Sequence, residues 1–469
     1  MSATSLVEAG RSRVDALKSR ARSSGRGPAR ISVGLVVGVT AIVAYSIPAR
    51  QVLPGLGGAG VPALVLGLGM LVWWAVSRLV PGSFVDGGHP LRATIQVFVV
   101  AFFVSYTLGF LRAMPVSEVS GSDRSLLRYA ALVGIALVII DGVRSRRELD
   151  LLLTLLVVAG VVMGVVGSLQ FLFSIDVTAS LRLPFLQLNA ERLLGVTTRG
   201  EDVPRVAGTA NHFIEFGVLM ALLVPLALYG ARVARTTARR VLFTTATLFL
   251  ATASLFSVSR SAVVALAVVV LVALPAGTWA TRVNLLGLLA TAAVVVVVGL
   301  PGLVATFGRL FGQIEEDSGV QARTGDYEVV LPLVADRPWF GRGPGTYSPL
   351  TYTLLDNQWL VSVVSIGIVG TAALMAVFVV AFFQAKRVGR WGEDPRDRQL
   401  GHMLGASIAA AFVVSFFFDS LAFSTFAVTT VILIGSAGAL WRLAGRPGPP
   451  VAGENPESDG VRPAGGRDA

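Results

Sequence analysis

Cysteine, histidine and charge are all scarce in this sequence. The 469 residues include no cysteine and three histidines, and only 14% of them are charged. Without cysteine, the chain can form no disulfide, thiolate zinc site or cysteine nucleophile. Three histidines also argue against a histidine-rich metal centre. Ordinary soluble domains carry about 25% charged residues, so the low charge content excludes a soluble globular protein.

Hydrophobic residues make up 54% of the chain and occur in long runs. A helix needs roughly 20 mainly apolar residues to cross the hydrocarbon core of a bilayer. We therefore predict an all-α fold, a polytopic membrane bundle of about twelve transmembrane helices. The predicted spans are 31–47, 61–76, 93–111, 126–140, 149–173, 210–229, 241–258, 262–274, 283–300, 359–383, 403–418 and 421–441.

The net charge of +11 comes mostly from arginines in the N-terminal tail and in every second loop. Cytoplasmic loops of membrane proteins carry an excess of Lys and Arg. This pattern predicts a multi-pass protein of the cytoplasmic (inner) membrane with both termini in the cytoplasm. It also explains the basic character without nucleic-acid binding. The basic loops hold Arg144, Arg146 and Arg147, then Arg232, Arg235, Arg239 and Arg240, then Lys386, Arg387, Arg390, Arg396 and Arg398.

The composition divides the chain into three parts. Residues 1–30 are predicted to be a disordered basic cytoplasmic tail, 31–441 the transmembrane bundle, and 442–469 a disordered cytoplasmic tail. Two long loops fall on the extra-cytoplasmic side, 174–208 and 301–358, the second between the ninth and tenth spans. Loops of this length are commonly functional, so both are expected to contribute to a site.

Four motifs follow one another along the second half of the chain. They are RVAGTANHFIEFG at 205–217, SVSRSA at 257–262, DRPWFGRGPGTY at 336–347, and DNQWL at 356–360 followed by GIVG at 367–370. In this order, with a long external loop, they resemble the O-antigen ligase and O-antigen polymerase superfamily over about residues 151–370. Two positions depart from the pattern: Asp356 precedes Asn357 where many members carry His, and Ser365 replaces a common Glu.

The resemblance implies a glycosyltransferase of cell-surface polysaccharide biosynthesis. Such an enzyme transfers or polymerises a glycan linked to a polyprenyl diphosphate, such as undecaprenyl diphosphate, at the outer face of the cytoplasmic membrane. Its partners would be that lipid-linked donor, a glycan or glycolipid acceptor, and membrane lipid. Ligase and polymerase use the same donor chemistry, so the choice between them stays open, as do the sugar and the linkage.

Cleavage of a sugar–diphosphate bond requires stabilisation of the departing diphosphate. Arginine suits this task because its guanidinium group binds phosphate oxygens in a bidentate manner. Four external arginines are the predicted diphosphate-binding and substrate-binding residues together with Asn357, and we expect their guanidinium groups to meet in one extra-cytoplasmic pocket: Arg205, Arg260, Arg323 and Arg342. Each could instead be a helix-end or solvated loop charge.

The reaction also needs a base that takes the proton of the acceptor hydroxyl. His212 and Glu215 are three residues apart near the outer end of the sixth span, so they share a helix face. Asp356 opens the tenth span and is the third candidate catalytic residue. The alternatives are that His212 and Glu215 only lock the sixth helix to its neighbours, and that Asp356 caps a helix.

Metal and cofactors are not expected. The external loops contain no Asp-X-Asp pair, and the acidic cluster at 315–317 is interpreted as a solvated loop. Arginines would then supply the charge stabilisation that a cation gives elsewhere.

A secondary transporter is the alternative function, because twelve spans with both termini inside is a common layout for carriers. The long loop after the ninth span and the gathering of unusual charges at one face argue against it. Glu215 is the residue that could serve a proton-coupled carrier.

Overall fold

The structure is a computed structural model that describes residues 32–80, 84, 88–189, 197–199, 203–274, 318–347 and 352–445, and single positions between 279 and 298. Several predicted regions lie wholly or largely outside these residues: the tail 1–30, the tail 442–469 beyond residue 445, the ninth span 283–300, and 301–317 and 348–351 of the second long loop.

Twelve helices of 14 residues or more lie in the described part of the chain. They are α1 Val33–Ser46, α2 Pro62–Ser77, α3 Pro90–Gly109, α4 Val116–Gly142, α5 Arg146–Phe173, α6 Phe213–Val233, α7 Thr237–Leu255, α8 Arg260–Ala273, α9 Ser318–Asp336, α10 Gln358–Trp391, α11 Pro395–Val414 and α12 Ser424–Leu443. Eleven of them coincide with predicted spans, whereas α9 belongs to the second predicted external loop.

Six of the described helices, α3, α4, α5, α6, α10 and α12, are long and apolar enough to cross a membrane, judged by length and composition. The apolar helices α1, α2 and α8 are shorter. The chain is thus a mainly helical, multi-pass membrane protein, and the total of twelve spans stays a prediction.

Helices α6 and α12 form the centre of the bundle and are almost entirely buried. Peripheral helices present apolar side chains outward, as Val97, Val100 and Phe103 do on α3. Outward apolar surface of this kind suits a lipid environment. Glycines allow α5 and α6 to approach closely, because a Cβ added at Gly160 or Gly167 of α5 would collide with side chains of α6. Small residues are a common means of helix association in membranes.

The basic loops meet at one end of the bundle, hereafter the basic end. Asp141 at the end of α4 pairs with Arg78, just after α2, and with Arg92 in the first turn of α3. Arg146 Nε lies 2.6 Å from Asp397 Oδ1, which joins the start of α5 to the start of α11. The Nε of Arg442 donates to the carbonyl of Ile140 at 3.1 Å. Loops that the charge pattern places on one side of the membrane are therefore neighbours, and which side they face stays a prediction.

The opposite end contains short extended segments. Gln51–Val52 pairs antiparallel with Gln187–Leu188, and Thr197–Arg199 pairs antiparallel with Val203–Arg205. A one-turn helix, Val177–Ser180, follows α5, and short 3-10 turns occupy Gly57–Gly60 and Ser420–Ala422. These segments close over the helix ends and surround the site described next.

Candidate functional site

A polar cavity of about 300 Å³ opens at the end of the bundle opposite the basic end. It lies between the first turns of α4, the 57–60 turn, the loop before α10, the start of α10 and the turn between α11 and α12. Its lining includes Ser117, Gly121, Arg124, Ser125, Arg128, Tyr129, Pro344, Gly345, Tyr347, Gln358, Ser362, Ser365 and Asp419. The volume lies at the lower end of the range for small-molecule sites.

Two arginines of α4 supply positive charge to this cavity. Arg124 and Arg128 are four residues apart and therefore lie on the same face of the helix. Arg124 Nη2 donates to Ser120 Oγ at 2.8 Å, and Arg128 Nη1 donates to the carbonyl of Leu421 at 3.3 Å. Both side chains are half-buried. Two adjacent, oriented guanidinium groups can bind a phosphate or a diphosphate.

The turn between α11 and α12 brings a carboxylate, Asp419, to the same cavity. Buried Gln358 fixes this turn: its backbone N–H donates to the carbonyls of Ser415 and Phe418, and its side-chain Oε1 accepts from the N–H of Leu421 at 2.6 Å. The hydroxyl groups of Ser415 and Ser420 are 2.7 Å apart. Asp419 is therefore held on a rigid turn that faces the two arginines.

A break in α10 shapes another wall of the cavity. Gly367 has φ +68° within the helix, so the backbone groups around it do not bond in the helical pattern. The segment 337–343 fits into the break: the N–H groups of Arg342 and Gly343 donate to the carbonyls of Val364 and Ser365, and Ile368 N–H donates to Pro338. These bonds satisfy groups that a bilayer would leave unpaired. The break therefore holds the glycine-rich motif against the bundle.

Arg342 and two tyrosines form a network beside the cavity. Arg342 Nη2 donates to the hydroxyl of Tyr352 at 3.0 Å, and Tyr352 donates to Glu118 Oε1 at 3.2 Å. Glu118 also pairs with Arg112. Tyr347 stacks on Tyr352 and lines the cavity, and burial raises the pKa of its hydroxyl. This network joins the loop before α10 to the start of α4.

Arg205 and His212 lie together at the N-terminal end of α6. Arg205 Nη2 donates to the carbonyl of Val258 at 3.1 Å, and its guanidinium carbon is 3.6 Å from the ring centroid of Phe213. His212 is the N-cap of α6, and its Nδ1 accepts from the N–H of Ile214 at 3.2 Å. Burial, with a further contribution from the charge of Arg205, lowers the pKa of His212 to about 4. His212 is therefore neutral at pH 7 and a weak base.

Glu215 is fully buried one turn further along α6. Its Oε2 accepts from the N–H of Asn211 and its Oε1 from the N–H of Phe426, both at 3.0 Å. The side chain thus ties the first turn of α6 to the first turn of α12. These contacts agree with the interpretation in which Glu215 locks the sixth helix to its neighbours.

The other predicted residues lie on different elements. Arg260 is half-buried and begins α8, two residues after Val258, whose φ of +46° is unusual for a β-branched residue. Asn357 caps α10 by accepting from the N–H groups of Trp359 and Leu360, and half-buried Asp356 comes just before it. Arg323 belongs to α9, and its side chain lies outside the described residues.

The structure places the predicted residues in two groups at the same end of the bundle. Around the N-terminal end of α6 lie Arg205, His212, Glu215 and Arg260, and around the start of α10 lie Arg342, Asp356 and Asn357. The turn between α11 and α12 touches both, because Phe423 lies 5.9 Å from the His212 ring and Leu421 bonds to Gln358. Of the seven predicted side chains that the structure describes, none lines the polar cavity. Their roles stay predictions.

The cavity is lined instead by three charged residues that the sequence analysis did not select. Arg124 and Arg128 had a usable signal, because two arginines four residues apart at the outer end of an apolar span share a face and are costly to embed. The sequence signal for Asp419 was weaker. A single Asp in a short turn between helices is typical of a cap or an interface charge.

A comparison with known protein families found a match to part of the chain. Residues 245–375 match the family model described as O-antigen ligase. No curated protein matches the chain in a sequence search. The matched segment runs from the second half of α7 to the middle of α10 and includes both Arg342 and the break at Gly367. Over this segment, the match confirms the resemblance to the O-antigen ligase family that the motifs show.

Proposed function

We propose that this protein transfers or polymerises a glycan from a polyprenyl diphosphate carrier at the outer face of the cytoplasmic membrane. The match of residues 245–375 to the O-antigen ligase family model supports a membrane glycan ligase or polymerase. The observation that carries the finer proposal is the polar cavity, in which Arg124 and Arg128 lie with Asp419 at the end opposite the basic loops. Both termini would then be cytoplasmic, as the charge pattern predicts.

The proposed reaction is a substitution at the anomeric carbon of the donor sugar. A hydroxyl oxygen of the acceptor glycan or glycolipid attacks that carbon, and the bond from the carbon to the diphosphate oxygen breaks. The hydroxyl proton passes to a base, and the polyprenyl diphosphate leaves. Arg124 and Arg128 would stabilise the charge that develops on the diphosphate. The predicted Arg205, Arg260, Arg323 and Arg342 would hold outer parts of the donor and acceptor.

Asp419 is our preferred base. Its carboxylate lines the cavity, whereas backbone N–H groups engage His212 and Glu215. Asp356, the remaining predicted base, immediately precedes the N-cap of α10 and is the second choice. A carboxylate side chain can serve as the general base that takes the proton of the acceptor hydroxyl.

The contacts of Glu215 give no specific support to the alternative function, a secondary transporter. The carrier hypothesis depends on Glu215 as a proton-coupling group. Both carboxylate oxygens of Glu215 accept hydrogen bonds from backbone N–H groups. Protonation would disturb the junction of α6 with α12 and would not open a path for a substrate.

Substitutions in the cavity test the proposal. We expect Arg124→Gln, Arg128→Gln and Asp419→Asn each to lower the rate of transfer from a polyprenyl diphosphate glycan in liposomes by about 100-fold, the effect of losing one preorganised charge-stabilising group. Arg240→Gln, an exposed arginine of the basic end, is the control and should transfer normally. Wild-type rates in all three cavity variants, with unchanged Tm, would remove this cavity from the mechanism.

The proposed chemistry uses no metal and no cofactor. Addition of a chelator is therefore expected to leave the transfer rate unchanged. Activity that is lost to the chelator and restored by Mg²⁺ or Mn²⁺ would contradict this part of the proposal.

A further inference from the structure

A second cavity, of about 540 Å³, lies at the basic end between α5, α6, α7 and the start of α11. It shares no lining residue with the polar cavity. We propose that this basic cavity binds the phosphate of an anionic phospholipid. The proposal does not depend on glycan transfer, and it concerns the opposite end of the molecule.

The charge of the lining favours an anion. Five arginines and one aspartate line the cavity: Arg146, Arg147, Arg235, Arg239, Arg396 and Asp150. Asp150 accepts a hydrogen bond from the Tyr229 hydroxyl at 2.9 Å, which occupies one of its carboxylate oxygens. Arginines gathered between membrane helices attract lipid phosphates strongly near the membrane surface.

Arg146 offers a donor for a phosphate oxygen. Its Nε lies 2.6 Å from Asp397 Oδ1, and its Nη2 donates to the Tyr229 hydroxyl at 3.4 Å. Its Nη1 is buried and has no hydrogen-bond partner among the residues that the structure describes. A buried guanidinium N–H without an acceptor costs free energy. A phosphate oxygen in the cavity would remove that cost.

The apolar part of the lining favours a lipid over free phosphate. Apart from its charged residues, the lining consists mainly of aliphatic and aromatic side chains, among them Leu151, Leu153, Leu226, Val233 and Phe243. The guanidinium carbon of Arg239 is 5.6 Å from the ring centroid of Phe243. A cavity that combines arginines with apolar side chains matches a lipid headgroup together with the first part of its acyl chains.

Lipid retention by the purified full-length protein tests this inference. Detergent-solubilised protein would be loaded with palmitoyl-oleoyl phosphatidylglycerol or, separately, phosphatidylcholine, and bound lipid counted by native mass spectrometry. The test variant is Arg235→Gln with Arg239→Gln, because both side chains are exposed and line the cavity. The matched control is Arg240→Gln with Arg387→Gln, two exposed arginines of the same end outside the cavity lining.

We expect wild type and control to retain phosphatidylglycerol in preference to phosphatidylcholine, and the test variant to bind phosphatidylglycerol about tenfold more weakly. Equal loss in test and control variants, or no preference for the anionic lipid, would overturn the inference. A third arm adds inorganic phosphate at millimolar concentration. Complete displacement of the lipid by phosphate would identify the ligand as a free phosphate and would overturn the lipid assignment.

Discussion

Glu215 shows how a buried carboxylate can hold a membrane bundle together without taking part in chemistry. It accepts hydrogen bonds from the N–H group of Asn211, just before the N-cap of α6, and from that of Phe426, in the first turn of α12. Backbone donors in the first turn of a helix lack partners within the helix. A single side chain of α6 therefore satisfies a donor of its own loop and a donor of α12.

Glu215→Gln separates this role from catalysis. Glutamine keeps the shape but leaves only one oxygen to accept, so one buried N–H loses its partner at a cost of about 1–3 kcal/mol. We expect a clear decrease in Tm and a transfer rate per folded molecule close to wild type. If Tm is unchanged while transfer is abolished, Glu215 is a catalytic residue after all.

His212 gives a pH-dependent prediction. Burial and Arg205 lower its pKa in the folded protein from the ordinary 6.5 to about 4. Above pH 6.5 both folded and unfolded states are neutral, so the stability contribution is complete. Between pH 6.5 and 4 only the unfolded state gains the proton, and stability is lost as the pH falls.

His212→Asn is the matched variant, because Asn accepts the same helix-capping hydrogen bond and does not titrate. The Tm difference between wild type and variant should be constant above pH 7 and should shift in favour of the variant from pH 6.5 to 4. A difference that stays constant down to pH 4 would show that His212 has an ordinary pKa.

Residue chemistry could be predicted from the sequence only in part. The charge pattern predicts Arg205, Arg260 and Arg342 on the side opposite the basic loops, and in the structure they lie at the end opposite the basic end. It could not show that Arg128 and Asp419 line one cavity, because residues 291 positions apart leave no local pattern when they meet. The cap of α10 was predicted one residue too early: the sequence analysis considered Asp356 as a cap, whereas Asn357 accepts the hydrogen bonds from the N–H groups of Trp359 and Leu360.

At the scale of elements, the break in α10 gives the glycine motifs a physical reason. Gly367 has φ +68°, a backbone conformation that residues with a Cβ rarely adopt. A Cβ at this position would also collide with the carbonyl of Trp339 in the docked segment 337–343. The two glycine-containing motifs, 336–347 and 367–370, therefore contact each other closely at the break in α10.

Gly367→Ala should therefore undock the loop before α10. Backbone strain costs about 1–3 kcal/mol, and the collision with Trp339 adds to it. We expect a decrease in Tm, faster protease cleavage within 337–347 and loss of glycan transfer. Gly69→Ala is the control, since Gly69 is exposed on α2 and has open space around its Cβ position. Similar Tm values for the two variants would contradict the proposed fit.

Hydropathy predicted helix existence better than helix length. The fourth predicted span began at 126, whereas α4 begins at Val116, because the polar turns that carry Arg124 continue the helix beyond the apolar stretch. The tenth ended at 383, whereas α10 continues to Trp391 through a basic segment. Apolar runs mark the part of a helix that contacts lipid or core, and they carry no information about polar extensions.

On the scale of the whole molecule, charge separates the two ends. One end carries the basic loops and the basic cavity, and the other carries the polar cavity and the short extended segments. If the positive-inside pattern holds, glycan chemistry and lipid-phosphate binding occur on opposite faces of the membrane.

Single cysteines test that orientation without background, because the chain has none of its own. Ala113, before α4, and Ala238, in the first turn of α7, are exposed at opposite ends. A membrane-impermeant maleimide should label Ala113→Cys in intact spheroplasts and Ala238→Cys only after permeabilisation. The reverse labelling pattern would place the polar cavity in the cytoplasm and refute an outer-face reaction.

The most direct measurement of the central claim follows the glycan itself. Liposomes that contain purified protein would receive a labelled polyprenyl diphosphate glycan and an acceptor, and both the glycan product and the released polyprenyl diphosphate would be quantified. The account predicts one released carrier per transferred glycan, and an approximately 100-fold lower yield with Arg128→Gln at unchanged Tm. Label that crosses the bilayer while still attached to its carrier, with no transfer product, would contradict it.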